Sequence, residues 1–184
     1  MSQETSKIDA NENPMKMVKI AKIVINIGVG KSGEIIERAT KVLTDITGHN
    51  PNLRMAKQTV KEFGIHKGEP IGVAMTLRGS DASDILTRLI TAKTNNINRS
   101  SFDETGNCSF GIREHIEIPG IRYDPSIGIF GMNVSVVLER KGYRVMRRKR
   151  TRSRVGNKQK VSKEDAIQYF TNTLGVEVIG NGKD

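Results

Sequence analysis

Two short runs constrain the architecture of this chain more than anything else in it. In Val18–Val29, Ile23, Ile25, Ile27 and Val29 fall on one face and Lys22, Val24 and Asn26 on the other, and Met132, Val134, Val136 and Leu138 repeat the pattern. Such period-two alternation is the mark of a strand with one buried face. The first run ends at Gly28, Gly30 and Gly33 and passes at once into Glu34–Thr47. There Ile35, Ile36, Ala39, Val42, Leu43 and Ile46 form a helical stripe, with Glu34 in the first turn and Gly48 placed to close the last. A half-buried strand that turns directly into an amphipathic helix calls for a layer in which helices lie on one face of a sheet.

The rest of the chain extends that layer. His49–Lys57 reads as a loop from its Asn and Pro content, Gln58–Phe63 as a short strand, Gly64–Pro70 as a turn and Ile71–Arg78 as a strand, which predicts an antiparallel hairpin. Asp81 and Asp84 resemble a capping arrangement ahead of a helix that buries Ala82, Ile85, Leu86 and Leu89 and ends near Asn95–Asn98. Ile112, Ile116 and Ile118 suggest a strand stopped by Pro119 and Gly120. Ser162 and Asp165, at the capping-box interval, open a last helix that buries Ala166, Ile167, Phe170 and Leu174 and closes at Gly175, with Val176–Ile179 as a final edge strand. The expected class is α+β, a largely antiparallel sheet with helices packed on one face, plus basic and polar extensions. Residues 1–14 read as a polar N-terminal arm, and 15–180 as a single domain that includes a basic segment at 141–160.

That segment holds the strongest functional signal. Of 30 Lys and Arg, ten lie between Lys141 and Lys160, where none of the 20 Asp and Glu occurs, so this stretch carries the whole net charge of +10. Like charges at this density repel one another unless a polyanion neutralises them, and displaced counterions favour nucleic acid in that role. Arg144, Arg147, Arg148, Arg150, Arg152 and Arg154 dominate the run, which suits bidentate phosphate contact, and no apolar helical face runs through it to suit a membrane. Three Tyr, five Phe and no Trp leave little for stacking unstructured single strands, so a folded RNA or a duplex backbone is the better fit.

Other chemistries find little footing. Gly28, Gly30 and Gly33 match G-x-G-x-x-G between a strand and a helix, but no acidic residue follows about twenty positions on, and the next strands read as a hairpin. A phosphate loop ending in Lys31-Ser32 needs glycine where Ile25 stands. The plainer account is a tight connection whose amides and Lys31 hold a backbone phosphate. Cys108 stands alone, and with His49, His66 and His115 gives no ligand set at metal spacing. Asp103, Glu104, Glu114 and Glu117 form a loose acidic group, and Ser109 has no base partner. The expectation is a cytoplasmic protein with no cofactor, no metal and no enzymatic activity. Two rivals stay open, a nucleotide-dependent enzyme built on Gly28–Gly33 and an RNA chaperone or assembly factor.

Three stretches carry a family resemblance: KIVINIGVGKSG, then AKQTVKEFGIHKGEPIGVAMTLRG, then SFDETGNCSFGIREHIEIPGIRYDPSIGIFGMNVSVVLERKGYRVMRR. From about Met15 to Ile179 the chain resembles the large-subunit ribosomal proteins numbered five, in their archaeal and eukaryotic branch. The resemblance implies a structural role in the central protuberance: binding 5S rRNA and large-subunit rRNA, packing against neighbouring large-subunit proteins, touching the small-subunit head, and reaching P-site tRNA through a protruding loop. By position that loop is His49–Lys57, with Asn50, Arg54 and Lys57 as the implied tRNA contacts. Asn26, Lys31, Lys57, Thr59, Lys61, His66 and Lys67 match family wording near RNA-facing surface, and join the six arginines as rRNA candidates. His66 stands where the family commonly has Arg, and Asn133 where it commonly has Asp.

Overall fold

The computed structural model describes residues 13–180, so residues 1–12 of the expected polar arm lie outside the described residues. In chain order the elements are β1 (Val18–Gly28), α1 (Glu34–Thr47), β2 (Asn52–Met55), β3 (Pro70–Leu77), α2 (Ser80–Ala92), β4 (Asn96–Asn98), β5 (Cys108–Ile112), β6 (Met132–Arg140), a one-turn α3 (Arg144–Arg147), α4 (Lys163–Leu174) and β7 (Glu177–Ile179). Five strands form an antiparallel sheet in the order β2-β3-β1-β6-β5. The expected α+β class is what the chain adopts, with helices on one face of this sheet.

The register shows why. Ile23 lies opposite Leu77 and Val136, Ile25 opposite Met75 and Val134, and Ile27 opposite Val73. Directly opposed residues point to the same side, so the two alternating runs pool their apolar positions into one face. Cys108, Phe110 and Ile112 of β5 extend it. Onto it pack Ile36, Ala39, Val42, Leu43 and Ile46 of α1, Ala82, Ile85, Leu86, Leu89 and Ile90 of α2, and Ala166 and Phe170 of α4. Ile35 departs from the expected stripe and is 40% exposed.

Helix ends follow local chemistry. Gly48, at φ 71°, donates its N–H to Thr44 O at 2.7 Å, and Gly175, at φ 63°, closes α4. Ser162 and Asp165 form the expected capping box: the Asp165 N–H donates to Ser162 Oγ at 3.2 Å, and the Ser162 N–H to Asp165 Oδ2 at 2.9 Å. At α2 the expected cap is absent; Gly79 occupies the position with no side-chain bond. The Asp81 carboxylate instead faces His49 Nε2 at 3.3 Å.

Four expectations are corrected. The loop expected over His49–Lys57 contains β2, since Asn52 and Arg54 alternate with Leu53 and Met55 and the four residues pair with β3. Gln58–Phe63 is not a strand: Val60 only bridges to Ile65, and Lys61–Phe63 is one 3-10 turn. The hairpin therefore exists, but β2 is its first strand. The strand sought over Ile112–Ile118 lies earlier, at Cys108–Ile112, and His115–Glu117 is a 3-10 turn. Finally, α2 ends at Ala92, before the expected Asn95–Asn98; the expected last edge strand is present as β7, which pairs in parallel with β4 in a separate two-stranded sheet.

One glycine is required by packing as well as by backbone. Gly106 has φ 74°, and a Cβ there stands 2.6 Å from Val161 Cγ1. A left-handed penalty and overpacking together predict that Gly106→Ala costs roughly 2–5 kcal/mol, read as a lower urea midpoint; an unchanged midpoint contradicts this account.

Candidate nucleic-acid interface

The alternation that fills the core also determines what the other face of the sheet displays. It carries Asn52 and Arg54 on β2, Thr76 and the buried Gly72 and Ala74 on β3, Lys22, Val24 and Asn26 on β1, Asn133, Ser135 and Val137 on β6, and Ser109 and Gly111 on β5. Asn26 lies between Ala74 and Asn133, and Ser109 Oγ donates to Ser135 Oγ at 3.1 Å. The result is a low shelf of small, mostly uncharged polar groups. Gly72 keeps two strands close, since a Cβ there lies 2.8 Å from Ile27 O. Apart from Asn26 and Arg54, none of these residues was a candidate contact in the sequence, although they are the polar half of the same alternation.

At the Gly28 end of β1 two segments meet. The N–H groups of Val29 and Gly30 both donate to Ile71 O, at 3.1 and 2.9 Å, which fixes the turn that carries Lys31. Residues 56–69 leave the sheet as a compact excursion: the Ala56 N–H donates to Glu69 O at 2.8 Å, the Gly68 N–H to Ala56 O at 2.9 Å, and the Lys67 N–H to Thr59 Oγ1 at 3.0 Å. Lys57, Thr59, Lys61, His66 and Lys67 are all exposed on it, with Phe63, 72% exposed, at its 3-10 turn. The Glu69 carboxylate receives the His66 N–H at 2.9 Å and the Ser32 hydroxyl. Those two hydrogen bonds hold it below the usual carboxylate range. Of the implied tRNA contacts, Lys57 stands on this excursion, Arg54 lies within β2 on the polar face, and the exposed Asn50 precedes β2.

The arginine segment sits at the other end of β1, where β6 finishes. It is a closed loop with a built neck. Arg140 pairs with Asp165 at 2.9 Å and donates to Lys158 O and Lys160 O at 3.2 and 3.3 Å. Gln159 Nε2 donates to Met15 O at 2.6 Å and Lys141 O at 2.9 Å, and the Tyr143 hydroxyl accepts the Val161 N–H at 3.1 Å. The six expected arginines divide accordingly. Arg147 pairs with Glu139, and Arg148 Nε donates to Thr151 O at 2.9 Å. The side chains of Arg144, Arg150, Arg152 and Arg154 are exposed and take no protein partner among the described residues. Charge alone could not show this division, because the Arg147 partner, Glu139, precedes the loop and the Arg148 partner is a backbone carbonyl, that of Thr151.

Elsewhere three titratable groups are taken up by the fold itself. Burial pushes the Cys108 thiol up to about 12. Asp103 accepts the N–H groups of Thr105 and Asn107 at 3.0 and 2.6 Å, closing its own turn. His115 is buried, with Nδ1 accepting the Phe130 N–H at 3.3 Å, and burial lowers its pKa. Among the described residues no group of three His, Cys, Asp or Glu is placed to hold a metal ion, and no helix is long and apolar enough to cross a membrane.

A polar sheet face bounded by cationic segments is the arrangement of a nucleic-acid-binding protein. Residues 13–66 match the family model described as Ribosomal protein L5, and residues 70–169 match the model of the same ribosomal family's C-terminus. The chain belongs to the ribosomal protein L5 family. Similar chains named large ribosomal subunit protein uL5 occur in Pyrobaculum aerophilum, 51% identical over 90% of this chain and 93% of that one, and in Nitrosopumilus maritimus, 48% identical over 97% and 99%. Another from Tetrahymena thermophila is 51% identical over 88% of this chain and 94% of its own. As a family member the protein is a non-enzymatic, structural component of the large ribosomal subunit that binds 5S rRNA.

Proposed function

We propose that the polar sheet face is the seat of the 5S rRNA, gripped at one end by Lys31 and the 56–69 excursion, while the arginine loop at the other end reaches large-subunit rRNA. The observation that carries this reading is the layout along β1: a shelf of small hydrogen-bonding groups, with cationic segments at both ends about 33 Å apart by the rise of an extended strand. Folded RNA presents phosphates and 2′-hydroxyls over a broad surface, and a low polar shelf with charged ends matches that pattern better than a deep pocket does. In this reading Asn26 makes a positioning contact, and Lys31, Lys57, Thr59, Lys61, His66, Lys67 and the exposed arginines hold backbone.

The contact with P-site tRNA belongs to the same proposal and falls on the excursion 56–69, the part that leaves the sheet. Lys57 retains its place in that role, Arg54 joins the sheet face, and Asn50 lies at the foot of β2. Contacts with neighbouring proteins of the central protuberance and with the small-subunit head complete the reading, over one RNA-binding domain spanning 15–180.

Asn26→Ala tests the shelf without changing charge. Loss of one hydrogen-bonding group predicts a roughly tenfold weaker dissociation constant for 5S rRNA, with an unchanged salt slope and weaker protection of the RNA in chemical footprinting. Wild-type affinity and an unaltered footprint would remove the shelf from the interface.

A further inference from the structure

An acid stands among the bases at the Gly28 end of the sheet. Glu69 bonds to Ser32 and His66, beside Lys31 and Lys67, on an excursion that also carries Lys57, Lys61 and a second acid, Glu62, and a carboxylate there subtracts from the positive potential that attracts RNA. Its bonds suggest what offsets that cost. One oxygen accepts the His66 N–H and the other accepts the hydroxyl of Ser32, 37 residues earlier. The backbone of Glu69 is engaged as well, donating to His66 O at 3.1 Å and accepting from the Ala56 N–H. Within the excursion, the Val60–Ile65 bridge and the Thr59–Lys67 bond close the loop on itself. Among the described residues, the Ser32–Glu69 bond is the sole side-chain hydrogen bond between the loop and the Gly30–Gly33 turn.

We propose that Glu69 is a positioning residue for RNA binding: its carboxylate latches the Ser32 turn to the His66 loop, so that Lys31 on one side and Thr59 and Lys67 on the other meet the RNA in a fixed register. The inference rests on the reading of this end of the sheet as an RNA contact. Both bonds favour the ionised carboxylate, which holds the latch closed at neutral pH. Glu69 acts through its neighbours and need not touch RNA.

The two accounts of Glu69 differ in sign. If it were only a surface acid, Glu69→Ala would raise the local positive charge and strengthen 5S rRNA binding. If it is a latch, Glu69→Ala weakens binding by about tenfold even though the protein gains positive charge. Glu69→Gln, which keeps the shape but loses an acceptor, falls between. Ser32→Ala costs about threefold in the wild-type background and nothing further in Glu69→Ala, because both changes open one latch. Hydrogen exchange in the free protein should quicken at both 30–33 and 57–67 in Glu69→Ala.

The assay measures 5S rRNA dissociation constants by anisotropy for these variants, for the Ser32→Ala/Glu69→Ala double variant, and for Lys31→Ala with Lys67→Ala, each checked by urea midpoint. Weaker lysine variants together with unchanged or tighter Glu69→Ala and Glu69→Gln overturn the latch and leave the RNA reading standing. Additive losses at Ser32 and Glu69 also overturn it. If the lysine variants bind like wild type, this end is no RNA contact and both readings fall.

Discussion

Replacing Arg144, Arg150, Arg152 and Arg154 together by glutamate is expected to weaken rRNA binding by about a thousandfold or more near 0.1 M salt. The logarithmic salt slope should become shallower by about 3, since each lost phosphate contact removes roughly 0.7 to 0.9. These four side chains are exposed and have no protein partner among the described residues, so the change should leave the urea midpoint near that of the wild type. Arg147 is left in place because its pairing with Glu139 would turn a reversal there into a repulsion within the fold. Binding isotherms at several salt concentrations check the result. An unchanged dissociation constant and slope would mean that the loop's charge meets no RNA.

The second large effect comes from a residue that need not contact RNA. Arg140→Ala removes the pair with Asp165 and both bonds to the Lys158 and Lys160 carbonyls, and so opens the neck of the arginine loop. Arg140 is mostly buried and Asp165 about a third exposed, which puts the loss between that of a surface pair and that of a buried one, about 2–4 kcal/mol. Urea denaturation should show the lower stability, and hydrogen exchange should quicken across 141–160. Affinity for rRNA should fall as well, because ordering the loop then has to be supplied by binding. Arg140→Lys should restore the Asp165 pair without spanning both carbonyls, and recover only part of each loss. Wild-type protection across the loop in Arg140→Ala would assign the neck to Gln159 and Tyr143 instead.

The sequence was most informative where a single element decided its own fate. Ile23, Ile25 and Ile27, and Met132, Val134, Val136 and Leu138, recur at every second position, and all of them are buried as expected. The Ser162–Asp165 box needs only four residues to form, and it formed. Misreadings arose where a partner made the decision. Val60 and Phe63 have strand-like side chains, yet β3 pairs with Asn52–Met55, and Gln58–Phe63 is left in the excursion. Cys108 and Phe110 carried an alternation that the isoleucines after them drew attention away from. The candidate interface divides in the same way. The arginine run announced itself by charge, whereas Glu69, Arg140 and Gln159 matter through bonds to residues far away in sequence, and composition holds no trace of those.

The closed neck has a consequence for how this protein can change over time. Leu138 and Val161 are both buried, and the chain between them leaves and re-enters the core through one gate held by Arg140, Gln159 and Tyr143. The charged loop is thus carried as an insert whose two ends meet. Mutations among its exposed arginines can retune how strongly the loop grips RNA without disturbing the sheet, and mutations on the buried face of the sheet can accumulate without altering the charge the loop carries. Adhesive strength and structural integrity are left free to evolve along separate lines.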